Sequence, residues 1–468
     1  MKREKVAAII LAAGASTRLG QPKQCLDWDG YPMIVHVADT AWSAGLVPVV
    51  VVLGANADQI VPALQGRPVQ IIHNYRWREG MSASLNAGLS ALPPDVDAAL
   101  FMPVDQPLIT PQILHELVQR WQTTSAGIVA TASAEGQRGT PALFDREFFP
   151  ELATLSGEMG GRALFERHPD RLAVVHVDGA AILSDIDTPD QLNRLREHSQ
   201  RAAQLPAIAG VRGIICDMDG VLWRDKQPLP GLHEFFNLIS ELGLGYVLAT
   251  NNSSRTPAMY VEKLANLGVQ TTSDHILTSA TATGDYLAGH AERGARVYVL
   301  GSAGVREALQ AHGFNLTEGP PADYVVVGWD QNLTWKRLAT ATRLILSGAR
   351  FIGTNPDRTF PLEEGVAPGN GAQLAALETA TGIAPLVVGK PFPILYQQAL
   401  ARMEIGAEEA LVIGDRLDTD ILGGLRLGMP TALVLSGVTQ SADLKTTPIR
   451  PDMVFDDLSV LTATWRKP

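Results

Sequence analysis

Apolar positions in this chain fall in short unbroken runs, each passing into a polar loop that carries glycine or aspartate. Two segments share the layout most clearly: VAAIILAAGASTRLG, starting at Val6, and VRGIICDMDGVLW, starting at Val211. Each reads as the first strand of an α/β domain, where ligands gather beyond the strand's carboxyl end. VPVVVVLG, VQIIHN, AALFMPVD and GIVATAS predict further strands in the first half. YVLATNN, RVYVLG, DYVVVGW, RFIGTN, LVIGD and TALVLSG predict them in the second. Continuous apolar runs, rather than alternating ones, are the mark of parallel strands buried on both faces. Helical stretches lie between them, so the predicted fold is α/β: two doubly wound, Rossmann-like domains. DTPDQLNRLREHSQRAAQ predicts a helix with Asp187 or Thr188 near its N-cap, followed by a loose stretch. That places a first domain at 1–198, a linker at 199–210 and a second domain from 211.

Composition narrows the class. Residues number 468, enough for about three structural units. Apolar residues make up 46% and charged residues 19%, a balance suited to a packed enzyme. The net charge of −11, with no block of lysine or arginine, argues against nucleic acid as a partner. The apolar runs fall short of the roughly 18 residues of a spanning helix, so no membrane partner is expected. MKREK before an apolar run has the outline of a secretory signal. The run ends in a Gly/Ser/Arg/Lys loop that ligand binding explains better, so no leader is expected. Two cysteines, Cys25 and Cys216, exclude a disulfide framework and point to the cytoplasm.

The second half carries a phosphatase's parts. Cleaving a phosphate ester through an acyl phosphate needs a carboxylate nucleophile, an acid for the leaving oxygen, a cation on the phosphoryl oxygens, and Mg²⁺. Asp217 and Asp219 stand two apart at a strand end, so both can face one phosphoryl group. Thr250 offers a hydroxyl, with Asn251 beside it, and Lys390 offers positive charge. Asp415 and Asp420 add carboxylates for a metal. In this order, DMDGV, ATNNS, GKP and GDRLDTDI resemble the haloacid-dehalogenase superfamily of phosphatases over essentially all of 211–468. The resemblance makes Asp217 the nucleophile and Asp219 the general acid/base. It gives phosphate to Thr250, Asn251 and Lys390. It gives Mg²⁺ to Asp217, Asp415 and the backbone carbonyl of Asp219, with Asp420 in support.

The 139 residues between Thr250 and Lys390 exceed what one crossover needs. They predict an inserted α/β cap at 293–385, leaving 211–292 and 386–468 as the core. GTNPDRTFPLEEGVAPGNGAQLAALETATG is similar to the cap of the NagD-like branch, the capped subfamily that includes phosphoglycolate and pyridoxal-phosphate phosphatases. Trp329 and Arg358 are bulky candidates for selecting the leaving group. Asn355 and Asp357 lie in a TNPD turn.

The first half lacks GxxxxGK[ST] but has its ingredients in another order. Small residues at Ala12, Ala13 and Gly14 let backbone amides approach a triphosphate, and Arg18 and Lys23 add charge. This loop resembles that of nucleotidyltransferases that move NMP from NTP to a phosphorylated acceptor. GMSASLNAGL, PVDQP, RGTPALF, GEMGGRALFERHP and LSDIDTPDQL extend the resemblance to the MobA/MocA group, over about residues 5–197. It implies Ser82 and Ser84 beside the nucleotide. It makes Asp105 a Mg²⁺ ligand and Asp187, ahead of Asp185, the second. Glu158-Met159 depart from an Asp-Lys or similar pair in that group, which puts the acceptor's identity in question.

The expectation is a bifunctional, Mg²⁺-dependent cytoplasmic enzyme. One half transfers NMP from CTP or GTP; the other hydrolyses a small phosphate ester. Two alternatives stand beside it. The first is a molybdenum-cofactor cytidylyltransferase with an accessory phosphatase. The second is a phosphatase carrying a regulatory, non-catalytic nucleotide-binding domain. A homodimer is left open.

Overall fold

The computed structural model describes residues 4–466, apart from 17, 18, 20, 29, 134, 135, 178–180, 203–209, 363 and 364. The chain divides into two compact units. Residues 1–207 with 425–428 and 444–450 make the first, and 208–424, 429–443 and 451–468 make the second. The two short stretches from beyond 424 group with the first unit, although the sequence placed everything after 386 in the second domain's core. The helix Pro189–Ala202 runs into the expected linker, whose residues 203–209 lie outside the described set. Thr188 begins it, its hydroxyl accepting from the Gln191 amide at 3.3 Å.

The first unit is built on a seven-stranded sheet. Its strands are β1 (Val6–Ala12), β2 (Val49–Leu53), β3 (Val69–His73), β4 (Ala98–Pro103), β5 (Ile128–Ala132), β6 (Arg138–Asp145) and β7 (Leu172–His176). The spatial order is β3-β2-β1-β4-β6-β5-β7. All pairs are parallel except those of β6, which runs antiparallel to both β4 and β5. The sheet is therefore mixed, and RGTPALF is a strand as well as a motif.

Alternation along the strands explains the double winding. Ala8, Ile10, Val49 and Val51 pack on one face with the helices Met33–Ser43 and Pro111–Thr123. Ile9, Val50 and Val52 pack on the other with Leu85 of the helix Met81–Ser90. Side chains two apart share a face, so a strand covered on both sides must be apolar at every position. Val49–Leu53 is fully buried throughout. Each such side chain contributes about 1.5–3 kcal/mol of burial.

The second unit holds two parallel sheets. Its strands in chain order are β8 (Gly213–Cys216), β9 (Gly245–Thr250), β10 (Ile276–Thr278), β11 (Arg296–Leu300), β12 (Asn315–Thr317), β13 (Tyr324–Val327), β14 (Arg350–Gly353), β15 (Leu386–Val387), β16 (Ala410–Gly414), β17 (Thr431–Val434) and β18 (Met453–Phe455). The core sheet runs β10-β9-β8-β16-β17-β18, and the inserted sheet β12-β11-β13-β14-β15. β15 pairs with β14, so the inserted sheet reaches two residues beyond the boundary drawn from sequence. Strand order reverses beside β1 in one unit and beside β8 in the other, which opens a crevice at their carboxyl ends.

Candidate active sites

In the first unit a cavity of about 770 Å³ lies against the ends of β1 and β4. Ala12, Ala13, Gly14 and Lys23 line it. Gln24, wholly buried, donates from its amide to the carbonyls of Ala12 at 2.7 Å and Gly14 at 3.0 Å, which ties the loop across its base. The space over Gly14 is open, since a Cβ there would meet no atom of the described residues within 4 Å. Arg18 falls outside the described residues.

Asp105 follows β4, nearly buried, and accepts a hydrogen bond from the Lys23 ammonium. That ammonium also lies 3.7 Å from the Asp187 carboxylate, so it bridges the two carboxylates expected to hold a cation. Asp185 departs from expectation. It lines the cavity, whereas Asp187 does not, although Asp187 was the favoured second ligand. The Asp187 amide donates to Gln191 at the start of a helix, and its carboxylate is 40% exposed. Asp185 accepts from the Gln106 amide at 2.9 Å. Burial, then the negative Asp105, raises its carboxyl above the usual range. The serines divide in the same way. Ser84 lines the cavity and accepts from Asn74 at 3.0 Å. Ser82 is turned away from it, its hydroxyl donating to the Gly157 carbonyl at 2.9 Å.

The second unit gathers a tighter cluster. Asp217 follows β8, Thr250 ends β9 and Asp415 follows β16, so three adjacent strands deliver them to one crevice. Lys390 is buried among them. Its ammonium donates to Asp217, to Asp420 at 2.6 Å and to the Ala249 carbonyl at 3.0 Å. Burial opposes that charge, but Asp217 and Asp420 hold Lys390 protonated well above its usual range. Burial likewise drives the Asp217 carboxyl well up, against the pull of Lys390. Asp415 is pushed up to about 7, by burial and then by repulsion from Asp420.

Asp217, Asp415 and Asp420 place carboxylate oxygens all within 4.8 Å of one another. Three carboxylates against one ammonium leave a deficit that a divalent cation matches. The Asp415 Oδ2 accepts from the Val438 amide at 2.6 Å, whereas its Oδ1 is buried without a partner among the described residues. A buried carboxylate oxygen left unpaired is costly, and a hard cation would satisfy it. Hence these residues fit Mg²⁺. The fit is close: a Cβ at Gly220, where φ is +86°, would stand 2.4 Å from the Asp415 Oδ2, and one at Gly437 would stand 1.9 Å from it. The Asp219 side chain stays outside this group, accepting from the Trp223 indole at 2.6 Å with Lys263 at 4.0 Å. Its carboxyl thus faces the cavity rather than the cluster, free of the duties expected of its backbone carbonyl.

Around the cluster is a cavity of about 460 Å³, lined by core and inserted residues alike. Trp329 lines it, stacked on Phe360 with ring centroids 3.9 Å apart; Arg358 is not among the lining residues. Thr250 also lines it, its hydroxyl accepting from the Asn252 amide at 3.1 Å.

Asn251, expected to bind phosphate, lines the cavity, and its side chain is held by the protein. It donates to Asp357 and to the Lys390 carbonyl, each at 2.9 Å, and accepts from the Lys390 amide at 2.8 Å. Asn355 reaches back to the Asn251 carbonyl at 2.7 Å. Asn251 therefore positions Lys390 and the TNPD turn. Gln24, the Gly437–Val438 loop and Arg162 were not singled out beforehand. Each works through contacts that spacing along the chain does not show, although Arg162 stands within the GEMGGRALFERHP segment.

Comparison with known proteins agrees with this division. The description "MobA-like NTP transferase domain" matches residues 8–172. "Haloacid dehalogenase-like hydrolase" matches 214–315, and a second hydrolase-like model matches 387–461. An acid sugar phosphatase of Staphylococcus aureus is 35% identical over 256 residues, which is 55% of this chain and 98% of that protein. The C-terminal part of the chain belongs to the haloacid dehalogenase-like hydrolases. Two solved structures resemble it. NagD from E. coli is 37% identical, covering 53% of this chain and 97% of its own, with a TM-score of 0.50. A glycerol phosphate phosphatase from Mycobacterium tuberculosis, solved with magnesium, is 36% identical over 54% and 76%, with a TM-score of 0.50. The chain thus joins a nucleotidyltransferase to a capped, NagD-like phosphatase. Among the described residues no helix is long and apolar enough to cross a membrane.

Proposed function

We propose that the hydrolase half cleaves small phosphate esters through an aspartyl phosphate on Asp217, with Mg²⁺ as cofactor. The observation that carries this is the buried cluster of Asp217, Asp415, Asp420 and Lys390, with its unpartnered Asp415 oxygen. Bound there by Asp217, Asp415, Asp420 and the Asp219 carbonyl, Mg²⁺ would supply charge neutralisation on the phosphoryl oxygens. The Asp217 carboxylate attacks phosphorus as the bond to the ester oxygen breaks. Asp219 donates the proton that the leaving alkoxide takes up, then draws one from the water that hydrolyses the aspartyl phosphate. Lys390 and the Thr250 hydroxyl hold the phosphoryl oxygens. The cap encloses a cavity of about 460 Å³, a size for a small organic phosphate, and sugar or polyol phosphates are the class we assign.

The other half transfers NMP. An acceptor phosphate oxygen forms a bond to the α-phosphorus of CTP or GTP while the bond to the β-phosphate oxygen breaks, and pyrophosphate leaves with the electron pair. The Ala12–Gly14 loop receives the triphosphate, Lys23 offsets the developing charge, and Asp105 with Asp185 or Asp187 would hold Mg²⁺. The open space over Gly14 supports this reading. We assign both reactions to the cytoplasm, a compartment that suits the two free cysteines, Cys25 and Cys216.

The test is a substrate screen on the full-length chain. Phosphate release from sugar and polyol phosphates, and pyrophosphate release from CTP or GTP with the same compounds, are expected. Hydrolysis that persists undiminished after Asp217→Asn, or survives exhaustive chelation, would sink the first assignment. Pyrophosphate release with molybdopterin alone would replace the second by a molybdenum-cofactor cytidylyltransferase.

A further inference from the structure

Two guanidinium groups in the N-terminal cavity have no part in the chemistry above. Arg78 and Arg162 both line it, and among the described residues neither has a carboxylate partner. Nearby Arg76, by contrast, is held by Glu79 at 2.8 Å. Glu158 shares the cavity wall and pairs with neither. An exposed arginine is ordinarily a solvated surface group. These two differ in how they are supported.

Arg162 ends a loop that is pressed onto its surroundings. The Gly157 carbonyl accepts from both the Ser82 amide and hydroxyl, at 3.1 and 2.9 Å. A Cβ on Gly160 would stand 2.7 Å from the Met81 sulfur, and one on Gly161 would stand 2.6 Å from the Phe144 ring. Two successive positions therefore leave no room for a side chain, so the loop's course is fixed by contact. The guanidinium lies against β6: a Cβ on Gly139 would be 2.8 Å from its Nη2. Thr140, the next residue, lines the cavity. Arg78 has its guanidinium carbon 5.0 Å from the Trp77 ring centroid, and Trp77 is itself packed over Gly54. Lys23, the remaining cavity cation named above, is already engaged by Asp105 and Asp187.

We propose that Arg162, assisted by Arg78, binds the phosphate of the acceptor, a phosphate monoester, and orients it for attack on the nucleotide. This rests on the nucleotidyl-transfer reading of the same cavity. A guanidinium can take two phosphate oxygens side by side, leaving the third to attack the α-phosphorus. The acceptor is then chosen by its charge, and the corresponding free alcohol is rejected.

The experiment measures initial pyrophosphate release by the full-length chain with CTP or GTP. The acceptor probes are glycerol 3-phosphate, ribitol 5-phosphate and glucose 1-phosphate, each set against its unphosphorylated counterpart. Arg162→Ala is expected to raise the acceptor KM by about tenfold or more while the nucleotide KM stays within about twofold. Arg162→Lys should recover part of the loss, and p-nitrophenyl phosphate hydrolysis by both variants should match the parent. An equal rise in nucleotide KM, unchanged acceptor KM, or equal use of the free alcohols would overturn the assignment. No pyrophosphate from the parent with any probe would instead fell the transfer reading, and this proposal with it.

Discussion

The crevice beside β1 and the crevice beside β8 occupy the same topological position, yet they handle charge in opposite ways. In the hydrolase half, Asp217, Asp415 and Asp420 close within 4.8 Å around a buried lysine. In the transferase half, acidic groups are spread along the wall of a larger cavity, and Lys23 bridges two of them from a partly exposed position. The two proposed chemistries account for the difference. A nucleophile that becomes phosphorylated must be part of the protein and held fixed. Transfer between two bound substrates needs room for both and no side-chain nucleophile. The second unit is accordingly dense where the first is open.

The sharpest way to break the comparison is to remove the one group whose proposed role is covalent. Asp217→Asn should lower p-nitrophenyl phosphate turnover by about 10³-fold or more. Pyrophosphate release, measured on the same preparation, should not change. Its mirror is Asp105→Ala, expected to cost about 10²–10³-fold in nucleotidyl transfer while phosphate release continues. Undiminished transfer would take Asp105 out of the reaction and sink the transferase assignment that rests on it.

Buried charge gives the next effect. Lys390→Met leaves three carboxylates crowded without their ammonium, and should destabilise the metal-free second unit by about 3–5 kcal/mol. Thermal melts in chelator and in Mg²⁺ would show it, with Mg²⁺ recovering part of the loss. Lys23→Met, at a more exposed site, should shift the melt far less.

A pH series probes the same cluster more gently. The folded Asp415 carboxyl keeps its proton up to about pH 7, whereas an unfolded one loses it near 3.8. The folded form therefore binds the extra proton between those values, and its contribution to metal-free stability declines as pH rises across that window. Mg²⁺ competes with this proton, so affinity should fall by up to about tenfold for each pH unit below 7. Calorimetric titration at pH 5.5, 6.5 and 7.5 checks the sign. The smallest effect belongs to Trp329→Ala, which should raise KM for a bulky ester a few-fold, roughly, with little change in kcat.

Much of this arrangement was legible because it is local. Strands buried on both faces announce themselves as apolar runs, and Asp217, Lys390 and Asp415 each stand at the end or start of such a segment. What escaped depends on contacts between distant residues. RGTPALF was not among the expected strands, yet it forms an antiparallel one. Leu386–Val387 is too short to betray that it pairs with the inserted sheet. The same limit hid the side-chain partners of Asn251, which are Asp357 and the main chain of Lys390. Asp185 and Asp187 were ranked by motif position, but a helix start turns one towards solvent and leaves the other in the cavity. The glycine contacts that hold Arg162 have no signature in the sequence at all.

The engagement of Asn251 also bears on modularity. One side-chain amide grips Asp357 in the inserted segment and the main chain of Lys390 in the core. An exchange of caps between related hydrolases cannot treat the insert as a cassette cut at its sheet boundaries. A graft lacking the Asn355–Asp357 turn would loosen the lysine that serves the nucleophile, whatever substrate the new cap was chosen to admit. The turn and Asn251 are one inheritable unit, and chimeras should be cut around it.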